Sequence, residues 1–511
     1  MRWVLPLGLT LLVACGGGQT TAADAQADAD VVATADVDGG VETPPAGDER
    51  FVLDDDGAVL VLHGINVISA AKSDPERLAR IDASDVQRIA TRWGFNFVRL
   101  LIFWDALEPQ PGQLDQAYLD AVAERVDLLH AAGVWVMLDM HQDVYAAKFC
   151  CDGAPEWAIR DDGEPFEQSS QWFANYYQPA VMRAFDNFWA HDGPHADLQQ
   201  HYAAAWVAVA KRFRDHPGVL GYDLMNEPFP GSHFDVLEAV TRQSPEDGGP
   251  SRQFDEELLG PFYQRLIDAI RAVDRDGWLF FESRYGAPGN GSPSYLPRLS
   301  DPRPGAPRLV YAPHLYSVLL EAKGVYQPSD TTIPAWEAER EAEAAALRTP
   351  VVAGEWGLAW GADGADRFTR EVVEMADRQM MGWAYWSYDP SGPTGWAPWD
   401  AATGQDNPLA ATLVRPYPRR VTGRPTAFSF APDSRVFRLE LAPDPAITGP
   451  TEIFLPPAVY GDGYVLSVDG LAQQGWTSAW DAARAVLSIT WSQPAAGSVV
   501  VTVSPAAAAT P

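Results

Sequence analysis

The chain is 511 residues long, 47% apolar and 21% charged, with 19 Trp, 17 Tyr and 21 Phe; such a composition can build a sizeable core and excludes disorder throughout. Its formal net charge of −32 argues against nucleic acid and anionic membrane surfaces as partners, because both require a positive patch. The three cysteines, Cys15, Cys150 and Cys151, cannot make a disulfide framework or a four-ligand zinc site.

Arg2 is followed by a nearly unbroken apolar run of 12 residues, 3–14, too short to span a bilayer and the right length for a signal-peptide core. Export is therefore expected. The run ends in Leu12-Val13-Ala14-Cys15-Gly16, which resembles the lipobox of bacterial lipoproteins; that resemblance implies cleavage before Cys15 and lipidation of its thiol. The alternative is a plain secretory signal. Residues 16–50 hold eight acidic side chains against Arg50 alone and no aromatic residue, the composition of a disordered, self-repelling tether.

From residue 51 the pattern becomes short apolar runs, each followed by a longer amphipathic stretch. Eight strands are predicted, at 61–67, 95–102, 135–140, 219–226, 278–282, 309–316, 350–356 and 382–388, with helical stretches such as 115–132, 254–273 and 335–347 between them. Eight such alternations predict an α/β fold, a closed (β/α)8 TIM barrel over residues 51–414. Residues 143–200 break the alternation with an aromatic-dense loop that should cover the mouth. After Tyr417-Pro418, alternating runs at 435–441 and 499–503 separated by Pro and Gly turns predict a small antiparallel β-sandwich over 415–505.

Barrels carry their chemistry at the C-terminal ends of the strands. Those ends present Arg99, His141 and Asp143, Asn226-Glu227, Glu282, His314 and Tyr316, Glu355, and Trp386. Strands four and seven face each other across the mouth, and glycoside hydrolysis needs two carboxylates flanking the scissile bond, one protonated and one ionised. Glu355, within potential reach of Arg99, suits the nucleophile, and Glu227 the general acid. Trp386 offers a flat face to a sugar ring, and Tyr316 can orient the nucleophile.

Arg99, His141, Asn226-Glu227, His314, Tyr316, Glu355 and Trp386 together resemble the residue set of glycoside hydrolase family five, retaining enzymes on this barrel. The strings Gly64-Ile65-Asn66, Ser69-Ala70-Ala71-Lys72, Asp139-Met140-His141-Gln142-Asp143-Val144-Tyr145, Gly153-Ala154-Pro155-Glu156-Trp157, Asn226-Glu227-Pro228 and Arg415-Pro416-Tyr417-Pro418 resemble its endoglycoceramidase branch, over residues 51–505. That resemblance implies an endo-β-glycosidase releasing the intact glycan from ceramide. It implies Glu227 as acid/base and Glu355 as nucleophile, Lys72, His141 and Asp143 on sugar hydroxyls, and Asn226 and Trp386 at the cleavage point. A family-five β-glucanase, a steryl glucosidase and a non-catalytic glycolipid-binding lipoprotein are the alternatives.

Remaining signals have plainer readings. Glu282 is expected to orient a loop, and Asp54-Asp55-Asp56-Gly57 to form a turn rather than a calcium loop. His191, His195 and His201 lack ligand spacing, so no metal or other cofactor is expected. Cys150-Cys151 is either a strained vicinal ring in an oxidising compartment or a pair of thiols. The expected partner is a glycolipid or oligosaccharide, with membrane contact through a Cys15 anchor, for a monomeric, exported cell-envelope or secreted protein.

Overall fold

The computed structural model describes residues 48–68, 71–316, 325–389, 396–493, 495 and 497–506. Cys15, the tether up to residue 47, and Ser69-Ala70 lie outside the described residues.

The eight predicted strands form one parallel sheet: His63–Val67, Phe97–Phe103, Trp135–His141, Val219–Asp223, Trp278–Phe281, Leu309–Tyr311, Val352–Trp356 and Gly382–Tyr388. The eighth strand pairs with the first, and the seam between the sixth and seventh is closed by the parallel bridges Tyr311–Val351 and Leu315–Trp356. The ring is thus complete, and its edges are paired rather than exposed. The fourth and sixth strands end several residues, and the fifth one residue, earlier than their apolar runs suggested, so Asn226, Glu227, Glu282 and His314 stand just beyond the ladder.

Strand periodicity explains the interior. Phe97, Met137, Phe280, Val310, Val352 and Ala384 form an apolar cluster separate from the helix-facing core. Two residues further along the second, third and fifth strands, the same face carries Arg99, Asp139 and Glu282, all buried. The barrel is thus packed with hydrocarbon at its base and with charge toward its mouth.

The 143–200 stretch is partly helical, with Pro179–Trp189 and the start of Asp197–Phe213 inside it. Tyr176, Phe185, Phe188 and Trp189 are buried against the barrel, whereas Trp172, Phe173 and Tyr177 stay exposed. Cys150 and Cys151 are joined as a vicinal disulfide.

The C-terminal region is a two-sheet antiparallel sandwich, as expected. Its four-stranded sheet holds Gly423–Ala431, Val436–Pro443, Val499–Pro505 and Tyr464–Asp469. Its six-stranded sheet differs from the predicted boundary, because two of its strands, Val52–Leu53 and Val59–Leu60, come from the start of the region assigned to the barrel. The turn between them is the Asp54-Asp55-Asp56-Gly57 string, with Gly57 at φ 87° and Asp54 accepting from the Asp56 and Ala58 amides. Asp54 then pairs with Arg420 of the sandwich at 2.6 Å. Phe51, Val59 and Val61 accordingly join the sandwich core, while Val52 and Leu60 pack under the barrel's apolar base.

Candidate active site

Arg99, fully buried on the second strand, organises the mouth. Its guanidinium donates to Asp223 at 2.7 Å, Glu355 at 2.5 Å, Glu282 at 2.9 Å, Asn226 at 2.9 Å and Asn66 at 3.1 Å, and lies 2.9 Å from Asp139. One buried cation surrounded by four carboxylates is tolerable only because the planar fork satisfies several acceptors at once. It ties strands one, two, three, four, five and seven together at the height where chemistry would occur.

Glu355, near the end of the seventh strand, receives Arg99 on one oxygen and the Tyr316 hydroxyl on the other at 3.0 Å. Both donors fix the carboxylate plane. Glu227 is held differently. Its backbone is left-handed at φ 40°, its amide donates to Glu282 at 2.8 Å, and its carboxylate faces His314 Nδ1 at 3.0 Å. One oxygen of Glu227, one of Glu355 and a His314 nitrogen all lie within 4.8 Å of one another. Burial raises the Glu227 pKa, and the charges of Glu355 and Asp143 add to that against the pull of His314. Burial would lower His314, yet Glu282, Glu355 and the bond to Glu227 drive it upward.

Glu282 holds the loop after the fourth strand through the Glu227 amide, in keeping with the expected loop-orienting role, and it also belongs to the charge network of the mouth. It is buried between Arg99, His314 (3.2 Å) and the Glu227 amide, and burial with Asp223 nearby pushes its pKa up to about 8. In the sequence, Asn66 and Asp139 stand only inside strings quoted for the resemblance, with no role assigned, and Asp223 is not singled out. Their signal was present as polar residues inside strands that are otherwise apolar, a costly placement unless something binds them.

Beside this pair lies a second cluster. Lys72 contacts Asp143 and sits 5.1 Å above the Trp386 ring, which stacks on His141 at 5.8 Å. His141 is held by Asp139 at 2.7 Å, with Asp143 3.7 Å from its other nitrogen. Burial and Lys72 oppose its charge, but Asp139 and Asp143 override them and push its pKa up to about 9. Despite burial, Lys72 and His141 hold Asp143 well below the usual carboxylate range, while burial lifts Asp152 to about 6. All the predicted residues among those described therefore meet at one mouth, in two adjoining groups.

Three sets of carboxylates and histidines (His141, Asp143, Asp152; Glu227, His314, Glu355; Asp139, Asp223, Glu282) are close enough to ligate a cation. Lys72 contacts Asp143 of the first set, His314 within the second faces Glu227 at 3.0 Å, and Arg99 pairs with all three carboxylates of the third. A pair of opposed carboxylates, a flat indole face and several hydrogen-bonding side chains form a site suited to a carbohydrate.

Known proteins share this arrangement. Residues 62–392 match the model of Cellulase (glycosyl hydrolase family 5), and residues 415–504 that of the glycoside hydrolase family 5 C-terminal domain. Endoglycoceramidase I of Rhodococcus hoagii is 31% identical over 439 residues, 83% of this chain and 82% of its own. Endo-glycoceramidase II from Rhodococcus sp., solved as a ganglioside GM3 complex, is 39% identical, with a TM-score of 0.81 over 90% of this chain and all of its own. The lactosyl-enzyme intermediate of the same protein aligns with a TM-score of 0.79 at 40% identity, with the same coverage of both chains. With fold, site and both matched regions in agreement, the chain belongs to glycoside hydrolase family 5 and is an endoglycoceramidase-like glycosidase.

Proposed function

We propose that this enzyme is a retaining endo-β-glycosidase that cuts glycosphingolipids between glycan and ceramide, releasing the glycan intact. The observation that carries the reading is the approach of Glu227 and Glu355 within 4.8 Å. Retaining enzymes hold their carboxyl groups about 5–5.5 Å apart, whereas inverting ones leave about 6.5–9.5 Å for a water. Glu355 attacks the anomeric carbon while the bond to the ceramide oxygen breaks, and Glu227 gives that oxygen its proton. Water, deprotonated by Glu227, then displaces Glu355 from the glycosyl ester and restores both groups. The raised pKa of Glu227 suits it to be the acid.

Lys72, His141 and Asp143 bind sugar hydroxyls beyond the cleavage point, while Asn226 and Trp386 hold the sugar at it. The similarity to an enzyme solved with ganglioside GM3 supports a glycolipid as substrate. Lactosylceramide in detergent should yield lactose and ceramide, with little action on carboxymethyl cellulose. Monosaccharides released stepwise, or turnover of the cellulose instead, would sink the reading; binding without turnover would leave a glycolipid-binding lipoprotein.

The enzyme is further proposed to act as a monomer anchored through lipidated Cys15. Cys15→Ser should move it from the membrane fraction to the soluble envelope or medium with unchanged activity on dispersed substrate. An unmodified mature terminus beyond residue 15, found by mass spectrometry, would leave a secreted hydrolase.

A further inference from the structure

Nine large apolar side chains are exposed among the described residues, and seven of them lie on loops that follow barrel strands at the mouth: Trp172, Phe173, Tyr177, Val236, Leu237, Val240 and Trp360. Two of the segments are joined, since the Tyr177 ring lies 5.3 Å from Phe234. From the rim an aromatic path runs inward, Trp172 to Tyr176 at 6.4 Å and Tyr176 stacked on Phe229 at 4.7 Å. Phe229 is two residues from Glu227.

The short helix Val236–Thr241 is inverted relative to a helix on a water-facing surface. Its acidic residue Glu238 is buried at 1% exposure, whereas Val236, Leu237 and Val240 are 58–61% exposed. Buried Arg284 holds Glu238 at 2.9 Å and Asp255 at 2.5 Å, and Asn290 donates to the Ala239 carbonyl. Water favours the opposite orientation, so a buried ion network fixes an apolar face outward against the hydrophobic effect.

We propose that this rim is a lipid-contacting surface that lays the catalytic mouth against a neutral or zwitterionic lipid aggregate. This goes beyond the anchor at Cys15 and rests on the glycolipid reading of the site. The charge of the two joined segments favours such a surface over an anionic one: residues 148–190 and 229–248 hold eleven Asp and Glu against four Lys and Arg. Lipid chains drawn from the aggregate would meet the aromatic path leading to Glu227. Partly inserted Trp, Phe and Leu side chains supply affinity in proportion to the apolar area they bury.

The test uses the full chain carrying Cys15→Ser, so that no acyl chain contributes, and phosphatidylcholine vesicles without glycolipid. The protein should float with the vesicles. Trp172→Ser with Phe173→Ser, and separately Leu237→Ser with Val240→Ser, should each weaken binding about tenfold. Both variants should keep kcat/KM on p-nitrophenyl lactoside within about twofold and lose about tenfold on lactosylceramide in vesicles, with recovery in detergent. The proposal fails if the parent chain does not float, or if the variants float equally well. It also fails if binding needs phosphatidylglycerol, or if sedimentation velocity finds a dimer that the variants dissociate. Normal flotation loss with no turnover of lactosylceramide in any form would leave the rim standing and overturn the substrate instead.

Discussion

Glu227 and Glu355 are both carboxylates at the barrel mouth, yet their surroundings differ, and the proposed division of work between nucleophile and acid rests on that difference. Glu355 is gripped by Arg99 and Tyr316, while Glu227 rests against a histidine in a buried setting that favours its proton. Glu355→Gln should abolish turnover and leave glycolipid binding nearly intact. Glu227→Gln should lose most activity but regain part of it with azide on an activated aryl glycoside, because azide needs no general base. Wild-type rates in both variants would refute the assignment. The neighbouring charges also predict a pH-dependent stability. His141 rises from 6.5 to about 9 on folding, so its contribution is complete below 6.5 and gone above about 9. Glu282 rises from 4.5 to about 8, and its neutral form is likewise favoured by the fold, so that contribution also fades as pH rises. Melting temperature should therefore fall from pH 6.5 to 9, each tenfold change in proton affinity being worth about 1.4 kcal/mol. Glu282→Gln, a permanently neutral mimic, should flatten that slope; an unchanged slope would exclude Glu282 as a source.

The loop after the third strand shows how an element controls a site. Asp143 and Asp152 pair as an isolated antiparallel bridge, with the Asp143 amide also donating to the Asp152 side chain at 3.0 Å, and the disulfide immediately precedes Asp152. Asn175 donates to the Cys150 sulfur at 3.2 Å, linking the same loop to the segment bearing Trp172. A cross-link between adjacent residues closes almost no chain, so it removes little entropy from the unfolded state. Cys150→Ser with Cys151→Ser should thus shift the melting temperature by no more than about 2 °C. Its effect should appear in KM for lactosides, raised about threefold to tenfold as Asp143 loses its fixed position, a loss of roughly 1 kcal/mol. A large stability loss with unchanged KM would make the pair structural only.

At the scale of the molecule, barrel and sandwich are interlocked rather than strung together. The hairpin at 52–60 completes a sandwich sheet, and the Gly94 carbonyl accepts from both Tyr417 and Arg419 at 2.8 Å. Gly94 has φ 69°, and a Cβ there would fall 2.2 Å from the Phe454 ring. Gly94→Ala should cost about 2 kcal/mol or more, through strain and the wedge between the two regions. Calorimetry of the parent chain should give one cooperative transition; two resolved transitions would mean that the shared strands do not couple the regions.

Much of this was legible from local pattern. Strand count, barrel class and the placement of Glu227 and Glu355 at the mouth follow from apolar runs whose C-terminal ends carry polar residues, and a period of two along a strand is a local property. Cys150-Cys151 was legible only as an alternative, because adjacency in sequence does not say whether two sulfurs join. The charge network around Arg99 needed the tertiary structure, since Asp139, Asp223 and Glu282 come from the third, fourth and fifth strand regions, and a polar residue in an apolar run does not say which cation it faces. The same holds for the hairpin at 52–60, whose partner lies some 360 residues away, and for Glu238, where the burial of an acid and the exposure of its apolar neighbours invert the usual pattern. Local periodicity specifies which face of an element is apolar; only the closed barrel decides which distant charges meet and which apolar faces are left for something other than water.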